Sequence, residues 1–247
     1  MEQSLPTDAE LAALPRRDGF RLRGLATTRL DTFVDAAFAF GATVLLISSG
    51  DLPRDYPALV ALVRDIPAFA LSFGTLMVFW LSHRLWSRMY GLENGWTIGL
   101  TLTLVVTVLV YVYPLKLMFG MLVEWLTGGV VGGAFAIENV RELRSIMLLY
   151  GIGFAVLSGC LLGLYVAAYR AADALRLDGA ERAGTRVGLA IWGTLAGVAL
   201  LATLGTALLP LPWALYSAFG YWLIPVLLPV VMRWARRQRR VVPTYSG

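Results

Sequence analysis

The stretch RLDTFVDAAFAFGATVLLISSGDLP, residues 29–53, decides how the chain is read. From Ala36 to Ser49 it is free of charge and mostly apolar, yet Arg29, Asp31 and Asp35 lead into it. An ionised side chain in hydrocarbon is costly unless it finds a partner. The rest of the sequence shares the apolar bias: 58% of the 247 residues are hydrophobic and only 15% charged. The aromatic residues are weighted toward Trp and Tyr, which favour the membrane interface. This composition is that of an integral membrane protein.

A helix rises ~1.5 Å per residue and the hydrocarbon core is ~30 Å thick, so a crossing needs about 20 apolar residues. Segments near 30–50, 66–86, 96–115, 146–168, 187–208 and 212–232 meet that requirement. The last two belong to one uncharged run, Val187 to Met232, broken at LLPLPW, where two prolines stop a helix and turn the chain. The expected fold is all-α with six transmembrane helices.

The distribution of cations tests this count independently. With both termini in the cytoplasm, only Arg54, Arg64, Lys116, Arg141 and Arg144 of the 21 Lys and Arg residues fall outside. A five- or seven-span arrangement would put one terminal arginine cluster on the wrong side. The basic balance, 21 Lys and Arg against 16 Asp and Glu, therefore points to anionic lipid headgroups and not to nucleic acid. The first 28 residues lack an apolar signal-peptide core, so insertion into the inner cell membrane through the first span is expected. Residues 1–28 read as a cytoplasmic lead, 29–235 as the transmembrane domain and 236–247 as a basic cytoplasmic tail.

Chemistry-bearing motifs are scarce. Cys160 is the single cysteine and His83 the single histidine, which excludes an internal disulfide, bis-histidine haem and any His-rich metal cluster within one chain. No metalloprotease, nucleophile-elbow or phosphate-loop pattern occurs. The chain is not expected to be an enzyme or to hold a cofactor. Lys116 follows Pro114 at the outer end of the third span, where snorkelling to the interface is the simplest expectation. GxxxG pairs at Gly159/Gly163, Gly184/Gly188 and Gly193/Gly197 allow close helix approach.

The polar residues of the first span and of FWLSHRLWSRMY, residues 79–90, stand out against this background. Asp35 lies ~7 Å along its helix from Leu30, and the second span, running the opposite way, puts Trp80 and His83 at a matching depth. Arg29 and Asp35 are about 240° apart on their own helix and do not face each other. The expected arrangement is a polar network of Arg29, Asp35, Trp80 and His83 that ties the first helix to the second.

Arg29, Phe33 and Asp35, followed by the apolar AAFAFGATVLLI, resemble the first-helix signature of the lysosomal and bacterial potassium leak channels, the transmembrane protein 175 family. That signature reads Arg, three residues, then Phe-Ser-Asp. Phe79, Trp80 and His83 resemble the family's second-helix Phe-Trp-x-x-His. Here Val34 replaces the serine, so one hydrogen-bonding group of the network is missing. The resemblance implies a homotetramer whose first helices line a central pore without a carbonyl-lined filter, with potassium as permeant ion. It places a hydrophobic constriction at Phe40, where the family has Ile or Leu, and further pore-lining positions at Thr43, Val44 and Ile47. Phe40, Val44 and Ile47 are spaced i, i+4, i+7 on one helical stripe, a spacing that ordinary helix packing also produces. Two other readings stay open: a non-conducting scaffold of the same fold, and a proton-permeable pore or proton-coupled transporter using Asp35 and His83.

Overall fold

Each long helix begins on a side chain that satisfies its first free amides. Thr28 and Asp31 form a reciprocal capping box, as do Asn94 with Thr97 and Asp178 with Glu181, while Asp55 and Asn139 cap singly. Gly91 and Gly128 end two of the helices at φ 58° and 61°, the left-handed conformation that glycine adopts without steric penalty. The computed structural model describes residues 8–17, 19–48, 52–131, 137, 139–211 and 213–240.

A short helix α1 (Asp8–Ala13) and a two-residue hairpin, β1 (Arg16–Arg17) with β2 (Phe20–Arg21), precede the bundle. Then come α2 (Arg29–Ile47), α3 (Tyr56–Tyr90), α4 (Gly95–Thr127), α5 (Val140–Arg170) and α6 (Gly179–Leu208). The last crossing is composite: α7 (Trp213–Tyr216), a 3-10 stretch over Ser217–Leu223, and α8 (Ile224–Arg240). Among the described residues, six helical segments are long and apolar enough to cross a membrane. Of the expected basic tail, 236–240 continue α8, and 241–247 lie outside the described residues.

Four helices are longer than their apolar cores. Charges and prolines suggested that the second span starts near 66 and the third ends near 115, yet α3 already begins at Tyr56 and α4 runs on through Pro114 to Thr127. The charges do not mark the ends because they meet. Lys116 Nζ lies 2.8 Å from Asp65 Oδ2, with 12% and 14% of the two side chains exposed. Lys116 is therefore tied to α3 and does not reach freely for the interface. At the same end of the bundle, Arg144 of α5 donates from Nε to the carbonyl of Thr206 at 2.8 Å, closing the end of α6.

The core runs along the middle of the bundle through Phe38, Leu45, Leu76, Phe79, Leu104, Val108, Leu157, Leu161 and Leu164. Lipid tails are as apolar as these side chains, so close packing and hydrogen bonds hold the helices together. A Cβ at Gly188 would sit 2.1 Å from the Tyr165 ring, so the absent side chain lets α6 close onto α5. Gly188 and Gly163, which meets Leu100, are one member each of two GxxxG pairs, whereas an added Cβ at Gly159 or Gly197 would meet nothing. Several hydroxyls within the spans bond back to their own helix, as in Ser72 to the Ala68 carbonyl at 2.7 Å and Thr203 to the Ala199 carbonyl at 2.7 Å.

The Asp65–Lys116 pair makes a stability prediction. Lys116→Met should leave a shielded carboxylate without its cation and destabilise the fold by on the order of 3 kcal/mol, whereas adding Asp65→Leu should recover most of the loss. Thermal unfolding of the detergent-solubilised protein checks both, and an unchanged transition for the single variant would contradict the pairing.

Candidate functional site

Helix α2 leans on the bundle with one face and leaves the other uncovered. Val34, Ala37, Phe38, Gly41 and Leu45 are buried against the neighbouring helices. Phe33, Phe40 and Ile47 recur every seven residues on a different face and are 52%, 60% and 68% exposed. Thr43 is exposed on that stripe, its hydroxyl donating to the Ala39 carbonyl at 3.0 Å. Val44 is half-buried at its edge and packs against the core. A helix that buries one face and presents a long apolar stripe has a surface suited to lipid, to another helix or to an aperture.

Two carboxylates fix this helix to α3. Trp80 donates its indole N–H to Asp35 Oδ1 at 2.7 Å. One turn earlier on α2 and two turns later on α3, Ser87 donates its hydroxyl to Asp31 Oδ1 at 2.7 Å. The other oxygen of Asp31 accepts from the amide and hydroxyl of Thr28, each at 3.1 Å, so one side chain both caps α2 and docks it. Arg84 stacks over the Trp80 ring with its guanidinium carbon 5.2 Å from the centroid. Asp31, Asp35, His83, Arg84, Ser87 and Arg88 surround a small polar cavity.

His83 turns elsewhere. It is 3% exposed, and its Nε2 lies 3.1 Å from Thr101 Oγ1 of α4, so it links α3 to α4 instead of bonding Asp35. Arg29 is exposed at the start of α2, where it lines a groove with Phe33, Glu93, Ile98 and Leu102. Within one chain, the expected network thus comes together at Asp35 and Trp80, with His83 in the adjoining layer and Arg29 on the outer surface.

Sequence reasoning missed Ser87 and Thr101, and it left Asp31 and Arg84 out of the network although both stand out as charges at the right depth. Thr28-x-x-Asp31 is a capping-box spacing and carried a readable signal for the helix start. Ser87 follows Trp80 by seven residues, two turns along one face of α3. Nothing in the sequence marks Thr101 as the partner of His83, since many threonines in the spans bond only to their own helix.

Three comparisons bear on what this arrangement belongs to. The profile of the endosomal/lysosomal potassium channel TMEM175 family matches residues 29–114, which include the whole of α2, α3 and the polar ties between them. A potassium channel of Marivirga tractuosa is 30% identical over 235 residues, covering 90% of this chain and 94% of the relative. The potassium channel MtTMEM175, crystallised as a variant in complex with a nanobody–MBP fusion protein, superposes with a TM-score of 0.77 at 27% identity, covering 91% of this chain and 100% of that one. With its six membrane-competent helices and near full-length likeness to these channels, the chain belongs to the TMEM175 family of endosomal and lysosomal potassium channels.

Proposed function

We propose that the chain forms a homotetrameric potassium channel in the inner cell membrane, with both termini in the cytoplasm and the α2 helices around a central pore. The observation that carries this reading is the uncovered stripe of Phe40, Thr43 and Ile47 on a helix that buries Val34, Ala37, Phe38, Gly41 and Leu45 on another face. Four such stripes facing one axis give an aperture with no backbone carbonyls, because every α2 carbonyl within the span is engaged in the helix. Family membership and the arginine distribution support the ion and the orientation respectively.

On this reading Phe40, near mid-span, forms the constriction. Four phenyl rings exclude water when closed together, and when turned aside they present their faces to a cation. The Thr43 hydroxyl, one turn beyond, offers oxygen to a partly dehydrated potassium ion. Val44 and Ile47 continue the apolar lining toward the outside. The potassium ion is the permeant species, and the transport needs no cofactor.

Arg29, Phe33, Asp35, Trp80 and His83 act as struts on this proposal and stay out of the conduction path. The carboxylates of Asp31 and Asp35 set the pitch of α2 against α3. Arg29, exposed at the same level, is placed to complete the network toward a neighbouring copy.

Two measurements test this account. Potassium flux into liposomes should exceed sodium flux for the parent protein and rise on the order of tenfold in Phe40→Ala, about 1.4 kcal/mol off the barrier. A folded tetramer that passes neither ion in either form would instead make the chain a non-conducting scaffold. Trp80→Phe and Asp35→Ala should each remove the hydrogen bond between them, about 1 kcal/mol, and reduce the yield of tetramer on size-exclusion chromatography, with potassium preference unchanged in what assembles. A normal tetramer with altered ion preference would put Asp35 in the pore instead.

A further inference from the structure

From Phe20 onward the N-terminal lead is a built part of the fold, gathered around a carboxylate with no exposed surface. Glu181, in the first turn of α6, is 0% exposed. Its Oε1 accepts from the Arg21 amide at 2.8 Å and from Arg23 Nη1 at 3.0 Å, and its Oε2 accepts from Arg23 Nη2 at 2.9 Å and from the Asp178 amide at 2.9 Å. Arg21 Nη1 stands 3.6 Å from the same Oε2. Arg23 is in turn anchored by its Nε to the Leu175 carbonyl at 3.1 Å. A planar guanidinium on a carboxylate through two parallel bonds is the most directional ion pair that side chains make.

The chain leaves this pair along a fixed route to α2. Gly24 donates its amide to the Arg88 carbonyl at 3.0 Å, and a Cβ on Gly24 would lie 2.3 Å from the Ser87 carbonyl oxygen. Ser87 is the residue whose hydroxyl holds Asp31 in the first turn of α2. Phe20, 5% exposed, sets its ring edge-on to Tyr90 at 5.3 Å, and the Tyr90 hydroxyl lies 2.8 Å from that of Thr185, which bonds back to the Glu181 carbonyl at 2.8 Å. The lead, the last turns of α3, the first turns of α6 and the start of α2 are therefore one connected set of contacts. Only Leu25, Ala26 and Thr27 stand between Gly24 and the cap residue Thr28.

We propose that Glu181 is a positioning residue for α2: through Arg23 it fixes the inner end of the pore-lining helix, and thereby sets the fraction of time the pore conducts. This rests on the channel reading above. Buried ion pairs contribute little net stability compared with well-packed apolar residues and are better suited to holding one geometry. Because the pair lies off the uncovered stripe of α2, it acts on the helix and not on the ion.

The test is a double-mutant cycle on the full-length tetramer with Glu181→Gln, Arg23→Gln and both together, recorded as single channels in planar bilayers. Each single variant should change the open probability about threefold or more, with unitary conductance and potassium preference unchanged, and the double variant should add nothing to the larger single effect. Arg23→Lys, which keeps the charge but loses the two-pronged geometry, should shift it less. Hydrogen exchange over residues 25–34 supplies a readout independent of conduction: Glu181→Gln and Arg23→Lys should raise it about tenfold and a fewfold respectively. A parent that does not conduct would overturn the channel reading, leaving exchange to decide the positioning role. Unchanged open probability in all variants, additive single effects, altered unitary conductance, or unchanged exchange over 25–34 would overturn the role of Glu181.

Discussion

A carboxylate near hydrocarbon must find a donor, and the pairing of Asp31 with Ser87 and of Asp35 with Trp80 is the constraint around which the rest is arranged. Helix α2 has one packed face. Its apolar contacts, from Val34 to Leu45, set its distance from α4, but sliding along smooth apolar surfaces costs little. The two hydrogen bonds are directional and lie two turns apart on α3, so they fix height and rotation together. Removing the freedom to slide is what allows the opposite stripe to point consistently in one direction.

The same logic is repeated across the bundle with different chemistry. Asp65 and Lys116 lock α3 to α4 at one end, His83 and Thr101 lock them at the other, and Arg144 closes the carbonyl end of α6. Between these points the contacts are apolar or involve glycine against a ring, as at Gly188 and Tyr165. Polar groups supply register and the apolar ones supply density, a division expected where the surrounding solvent is itself apolar.

The number of crossings and the standing of α2 were legible in the sequence because both depend on composition over a window. Arg29, Asp35, Trp80 and His83 stood out because charged and amphipathic residues are rare in such surroundings. Partner choice was less legible. His83 bonds to Thr101 on a third helix, a choice made by rotation angles that hydropathy does not encode. Helix ends were misjudged at Asp65 and Lys116 because each charge alone signals an interface and only the pair signals continuation. The role of the lead was hidden for a related reason: Arg23 and Glu181 are far apart in sequence, and each looks like an ordinary surface charge until the hairpin at Arg16–Arg21 brings them together.

The lengths of the helices carry a mechanical consequence. α2 has 19 residues, about 28 Å, which matches a hydrocarbon layer of ~30 Å, whereas α3 has 35 residues, about 52 Å. A long helix absorbs a thinner or thicker bilayer by tilting, with its exposed Tyr56 at one interface acting as a float. α2 has no overhang to spend in this way, and its lower end is bolted to α3. With the Asp31 and Asp35 bonds fixing its height and rotation against α3, the short helix follows the long one as a rigid unit when α3 tilts.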